Sequence, residues 1–178
     1  MGSNKFVVGA YGERHNGVAY LFDDSGILLA TFTNPAPDTT NRFGFSVAGL
    51  GEDKVIIGAP YDSVRSNWSG RAFIFQTDGT LLVTLTNPAP WAMAYFGYAV
   101  APLDNDRFIV GANGYRNPAV SWGGQGRAYL YQASGNLLTT FNHPNPTGIA
   151  YFGSAVVGLG TDKVAIGAYG QYIGGSWG

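Results

Sequence analysis

Five short markers recur in one order, three times over, and nothing else in the chain limits its fold so tightly. Phe-Gly occurs at Phe43-Gly44, Phe96-Gly97 and Phe152-Gly153, at spacings of 53 and 56 residues. Gly-Ala after an apolar run falls at Gly9-Ala10, Gly58-Ala59, Gly111-Ala112 and Gly167-Ala168. A Gly-x-Ala-aromatic-aliphatic-aromatic run spans Gly17 to Phe22, Gly70 to Phe75 and Gly126 to Tyr131. A turn glycine precedes an apolar run at Gly26, Gly79 and Gly135. Asn34-Pro35-Ala36-Pro37 and Asn87-Pro88-Ala89-Pro90 close two units, and His143-Pro144-Asn145-Pro146 closes the third. Self-similarity at such a period is the signature of stacked supersecondary units.

Each unit holds four apolar runs separated by turn residues. In the second they are Phe43–Leu50, Lys54–Ala59, Arg71–Gln76 and Leu81–Thr86, here strands A, B, C and D. They are rich in β-branched and aromatic residues and have strand length. None reaches the roughly ten residues a helix needs. Asp53-Lys54, Asp106-Arg107 and Asp162-Lys163 sit where A must turn into B, and Asp favours tight turns. The proline segments cannot donate ladder hydrogen bonds, so they leave the sheet. Hydrophobic residues at 46% against 12% charged exclude a disordered chain. The fold class read from this is all-β: four-stranded antiparallel β-propeller blades in a single repeat array. Strand A carries small residues such as Gly49, Ala99 and Ala155, as strands converging on a propeller axis require. A two-sheet sandwich is the competing reading, but its strands need not repeat in fours.

The Phe-Gly and Gly-Ala markers resemble the FG-GAP repeat of integrin α-subunit propellers and their bacterial relatives. Phe43-Gly44 through Gly58-Ala59-Pro60 matches best, and Pro60 is not kept at the other sites. The resemblance covers nearly the whole chain and implies a propeller used for adhesion, carbohydrate binding or scaffolding. Many members of that family carry a calcium loop between strands A and B. Here the connections are Gly49–Asp53, Pro102–Asp106 and Gly158–Asp162. They are too short and too poor in carboxylates for the roughly six to eight oxygens calcium takes. Asp104 with Asp106 comes nearest, and an Asx-type turn is the expected reading there. No metal or other cofactor is called for.

The markers divide the chain into residues 1–42 (strands B, C, D), a full blade at 43–95, a full blade at 96–151, and 152–178 (strands A, B). Roughly three blades do not close a ring, since propellers typically have about four to eight. Homo-oligomerisation is therefore expected, with a dimer formed by strand exchange between chain ends. An excised piece of a longer propeller is the competing explanation. The segment Asp162–Gly170 parallels Asn4–Gly12, so the two ends carry near-copies of strand B.

Function is less constrained. A net charge of −1 with no basic run argues against nucleic acid. No apolar run approaches the roughly 20 residues of a membrane span. With no cysteine and two histidines, His15 and His143, neither a disulfide framework nor a zinc site is expected. No repeated motif supplies a nucleophile with an oriented base, so no enzyme is expected. Met1–Asn4 lack signal-peptide features, so any export signal of this extracellular or cell-surface module is missing from the N-terminus. The B–C loops vary in length while the strands stay uniform, and variable loops on a rigid scaffold carry binding. From them the candidate ligand-binding residues are Tyr61, Arg65, Trp68, Tyr115, Arg116, Trp122 and Tyr172. Such aromatics suit sugar rings and protein hot spots alike, and they also serve to cap the cores between blades. Three functions fit: a non-enzymatic binding or adhesion module, a carbohydrate-binding propeller lectin, and a self-assembling or engineered fragment with no ligand.

Overall fold

The computed structural model describes residues 4–13, 16–36, 41–63, 67–116, 124–145, 148–170, 172–173 and 176–177. The first sheet is β1 (Lys5–Ala10), β2 (Val18–Asp23) and β3 (Leu28–Thr33), paired in that order. The second is β4 (Ser46–Leu50), β5 (Lys54–Ala59), β6 (Arg71–Gln76) and β7 (Leu81–Thr86). The third is β8 (Phe96–Pro102), β9 (Arg107–Ala112), β10 (Arg127–Gln132) and β11 (Leu137–Asn142). A fourth pairs β12 (Ala155–Leu159) with β13 (Lys163–Gly167). Every strand pairing within these sheets is antiparallel; these are propeller blades, and the chain is a partial propeller. A two-stranded hairpin, β14 (Tyr172–Ile173) with β15 (Ser176–Trp177), lies where only a loop is expected.

The same local devices build each blade. The C–D turn closes with Asp23, Gln76 and Gln132 donating to Ile27, Thr80 and Asn136, and with glycines at positive φ at 26, 79 and 135. In all three blades the C–D register slips at one place, between Leu21 and Phe22, Ile74 and Phe75, and Leu130 and Tyr131. That bulge follows from the turn, because one added residue there re-aims strand D. The Asn-Pro turn is an Asx turn: the Asn34 and Asn87 side-chain oxygens accept the amides of Ala36 and Ala89 at 3.0 and 2.9 Å. Nδ1 of His143 accepts the Asn145 amide at 3.2 Å, so the imidazole replaces the asparagine as acceptor.

Packing lies between blades. One core joins Ala19, Leu21 and Phe32 of the first sheet to Val55, Ile57, Phe73 and Phe75 of the second, with Phe43 of the connection between them. The other joins Leu50, Ile56, Ile74 and Leu85 of the second to Phe96, Phe108, Val110, Tyr129 and Tyr131 of the third. The second sheet thus gives one face to the first blade and the other to the third. Each fully buried aromatic or branched side chain contributes roughly 1.5–3 kcal/mol.

Phe43-Gly44 is not the start of a strand, as the apolar run from Phe43 suggests, whereas Phe96 opens β8. Phe43 lies in the preceding turn and its ring sits on Phe73 and Phe75 at 5.6 and 6.0 Å, while Gly44 has φ +82°. The marker glycines meet each other across the seam. A methyl group on Gly9, Gly58 or Gly111 would lie 2.0, 2.1 or 2.0 Å from the carbonyl oxygen of Gly44, Gly97 or Gly153. One on Gly17, Gly70 or Gly126 would strike the carbonyl of Phe43, Phe96 or Phe152 just as hard. Three of the five markers are therefore one joint, backbone against backbone, between successive blades.

Candidate functional site

The D–A and B–C connections come out on the same side of the blades, and there the aromatic residues gather. Phe45 lies between Tyr11, Tyr61 and Tyr98, with ring centroids 5.3, 6.1 and 4.9 Å away. Tyr61 touches Tyr95 at 5.2 Å and Trp68 at 6.0 Å. Further along, Tyr151 and Tyr169 stack almost parallel, at 4.8 Å and 8°. The Arg42 guanidinium lies 4.2 Å from the centre of the Tyr61 ring and 5.8 Å from that of Tyr11. Such a cation over a ring is worth about 0.5–1 kcal/mol where solvent reaches it.

The residue just before each Phe-Gly supplies part of this surface. Arg42, Tyr95 and Tyr151 all sit in the left-handed region, at φ 50°, 54° and 53°. Large side chains there cost on the order of 1–3 kcal/mol each, and such strain persists only where the surroundings hold it. The conformation follows from the joint below: the next two residues are locked into the seam, so the chain must reverse above them. The side chains are thereby thrown onto the B–C loops. Trp68, at φ 57°, is held in the same way just before its own strand-C glycine.

The phenols are partly withdrawn from water. Burial raises the pKa of Tyr95, with Tyr61 and Tyr151 adding to it. Burial likewise raises that of Tyr169, reinforced by Tyr98, Tyr151, Tyr61 and Tyr95. Tyr95 and Tyr169 therefore stay neutral hydrogen-bonding groups at ordinary pH. Tyr169 nevertheless remains 65% exposed, so one face of the Tyr151–Tyr169 stack is open.

Of the expected site residues, Tyr61 and Trp68 belong to this surface. Tyr115 does not. It is buried, and its ring lies under the Arg127 guanidinium at 3.7 Å. Its carbonyl accepts the Gly126 amide, as those of Asp62 and Glu13 accept the amides of Gly70 and Gly17. At this one structural position Asp62 pairs with Arg71 in a buried ion pair, and Glu13 accepts the Tyr20 hydroxyl at 2.6 Å. Tyr115 therefore holds an arginine by its ring where a carboxylate holds one in the preceding blade. Arg116 is exposed beside it. Arg65 and Trp122 lie outside the described residues, as does the side chain of Tyr172, whose backbone belongs to β14.

Arg42, Phe45, Tyr95, Tyr98 and Tyr151 were not expected in the site. A signal exists, since the residue preceding Phe-Gly is large in every repeat. Asp104 is occupied locally: one oxygen accepts the amides of Asp106 and Arg107 at 2.8 and 2.6 Å, and the other accepts Arg107 Nε at 2.7 Å. Burial pushes its pKa up, but these amides and the guanidinium outweigh it and hold the carboxyl below its ordinary range.

Among known proteins the likeness is one of fold. No family model matches the sequence, and no curated protein matches it. The β-propeller domain of the Trilobed protease from Pyrococcus furiosus, described as having an open velcro topology, is similar over 95% of this chain and 47% of its own, at 13% identity and a TM-score of 0.55. A eukaryotic initiation factor is similar over 79% of this chain and 30% of its own, at 11% identity and a TM-score of 0.45. The chain spans less than half the length of either. The class of molecule defined by these observations is a partial β-propeller with an aromatic surface at its B–C loop side.

Proposed function

We propose that the chain is a non-enzymatic binding and adhesion module, built from FG-GAP-type blades and working at the cell exterior. The observation that carries this reading is the aromatic surface of Tyr11, Phe45, Tyr61, Trp68, Tyr95 and Tyr98, with Arg42 upon it. Aromatic residues and arginine dominate binding hot spots because they offer large, stiff areas at small entropic cost. Strained backbone is spent at three equivalent positions to display them. Pull-down from extracellular extracts, repeated with Trp68→Ala and Tyr61→Ala, tests the reading. The expected result is a retained partner whose binding falls about tenfold or more in each variant, the usual loss at a hot spot. Retention unaffected by either change would rule this surface out.

A carbohydrate ligand is the second reading, and the Tyr151–Tyr169 stack favours it. Its open outer ring offers a flat face for the C–H side of a sugar, and the neighbouring phenols offer hydroxyl partners. A glycan array decides between the two: saturable binding lost in Tyr169→Ala marks a lectin.

A further inference from the structure

The faces between blades are made of equivalent residues, so each position can be compared along the array. Phe6 and Val8 of β1 align with Val55 and Ile57 of β5 and with Phe108 and Val110 of β9. The four interior residues are 0% exposed, whereas Phe6 is 55% and Val8 49% exposed. This is the face that each later sheet turns toward the blade before it. On the opposite side of the array, Leu159 of β12 aligns with Leu50 and Leu103. Those are 0% and 7% exposed, while Leu159 is 50% exposed and Val157 beside it 47%. On the third sheet, Leu130 and Phe141 are only half-buried, although their equivalents Ile74 and Leu85 lie in the core. Among the described residues no blade covers that face of the first sheet, and one face of the third is only partly covered by the short β12–β13 sheet.

Edges tell the same story. Among the described residues β1 is hydrogen-bonded to β2 alone, whereas β5 and β9 are paired on both sides. Among the described residues no inner strand pairs with β1. β12 is an inner strand by position, following Phe152-Gly153 as β4 follows Phe43-Gly44. It is paired with β13, and β13 repeats β1: Lys163, Gly167, Ala168, Tyr169 and Gly170 match Lys5, Gly9, Ala10, Tyr11 and Gly12.

We infer that β13 occupies a place which β1 of a second copy of this chain fills in the assembled protein. The tail of one copy gives β12 to the free edge of β1 in the other, and β13 is released. The exchange conserves backbone hydrogen bonds, because five residue pairs between β12 and β13 are replaced by five between β12 and β1. What it adds is apolar contact. β13 brings one strand against the third sheet, while β1 arrives with β2 and β3, covering Leu130 and Phe141 and burying Phe6 and Val8. β1 keeps its own anchorage, since Val7 packs into the first core and Gly9 lies against Gly44. β13 has no such seam on its far side: a methyl on Gly167 would meet Ala155 of its own sheet and no following blade. The register follows from β4 and β5, where Val47 opposes Ile57. By the same count Val156 of one copy opposes Val8 of the other. Two copies exchanging tails reciprocally complete six blades, within the typical range of about four to eight. This inference is independent of the ligand assigned to the aromatic surface.

The chain has no cysteine, so engineered thiols report cleanly. Directly opposed residues of an antiparallel pair lie about 4.5–5.5 Å apart, within reach of a disulfide. Val8→Cys and Val156→Cys are made as separate variants, mixed, and oxidised mildly. The expected result is a mass of twice 18.8 kDa by light scattering and a disulfide joining the two variants. Four outcomes overturn the inference. In one the protein stays a folded single chain at every concentration. In the others it forms a dimer without this cross-link, closes only on Val8→Cys pairs, or cross-links instead when Ile166→Cys is mixed with Tyr20→Cys. The last would mean that β13 stays paired and displaces β1.

Discussion

Gly58 shows how much one hydrogen atom decides in this molecule. The seam brings its α-carbon so close to the Gly97 carbonyl that a β-carbon would sit 2.1 Å from the oxygen. Both partners are backbone, each locked into its own ladder, so neither yields as a side chain would. Gly58→Ala is expected to cost about 1–3 kcal/mol or more, the range for overpacking a filled interior. Gly12 has nothing within 4 Å of a built β-carbon. Gly12→Ala is expected to change stability by no more than about 0.5 kcal/mol. Urea denaturation of the two variants checks the contrast, and equal midpoints would mean that the joint is loose. The same crowding explains why Phe-Gly recurs: the glycine gives the seam its closeness and the phenylalanine fills the core beneath it.

At the level of elements, β10 carries two buried phenols whose behaviour distinguishes packed blades from loosely stacked ones. Burial holds the pKa of Tyr131 well above its ordinary value of 10, and Tyr129 adds to the effect. Burial raises that of Tyr129 as well, against the opposing pull of Arg127. The unfolded chain releases these protons near pH 10, while the folded one keeps them to higher pH. Their contribution is therefore complete below about pH 10 and is lost as pH rises through the folded values. Denaturation midpoints should fall as pH rises above about 10, and Tyr131→Phe should make that fall shallower. An alkaline loss unchanged in the variant would assign it to other groups. Elements were also where the sequence could best be read. Strands Lys54–Ala59, Arg71–Gln76 and Leu81–Thr86 lie where their alternation and turn residues put them. Strand A does not, because Phe43-Gly44-Phe45 reads as part of an apolar run, and only the seam imposes positive φ on Gly44. The site was half readable for a related reason. Tyr61 and Trp68 lie in loops whose variable length marks them out. Arg42, Tyr95 and Tyr151 come from D–A connections, and only the stacking of blades carries them onto the B–C loops. Tyr115 looked like its neighbours in composition, but its carbonyl takes the strand-C glycine amide as that of the buried Asp62 does, so it stands at the Asp62 position, beneath Arg127.

On the scale of the whole molecule, one repeat position meets two environments, and the difference is a property of the array rather than of the residue. Leu50 and Leu159 are the same leucine of the same strand, one sealed between the second and third sheets, the other facing outward from the last sheet. Leu50→Glu places a carboxylate among Ile56, Phe108 and Val110, where no partner can compensate it. That change should remove cooperative unfolding altogether. Leu159→Glu, studied at concentrations too low for association, should melt within a few degrees of the parent, because water already reaches that side chain. At higher concentration it should separate from the parent again: the parent gains stability from whatever covers the face, and the variant does not. Thermal melts of both variants across a concentration series test this. If Leu159→Glu were as damaging as Leu50→Glu in dilute solution, the fourth sheet would be sealed within the single chain. If parent and variant stayed parallel at every concentration, the exposed leucine would be ordinary surface, and the difference between the ends and the middle of the array would have no consequence for the protein in solution.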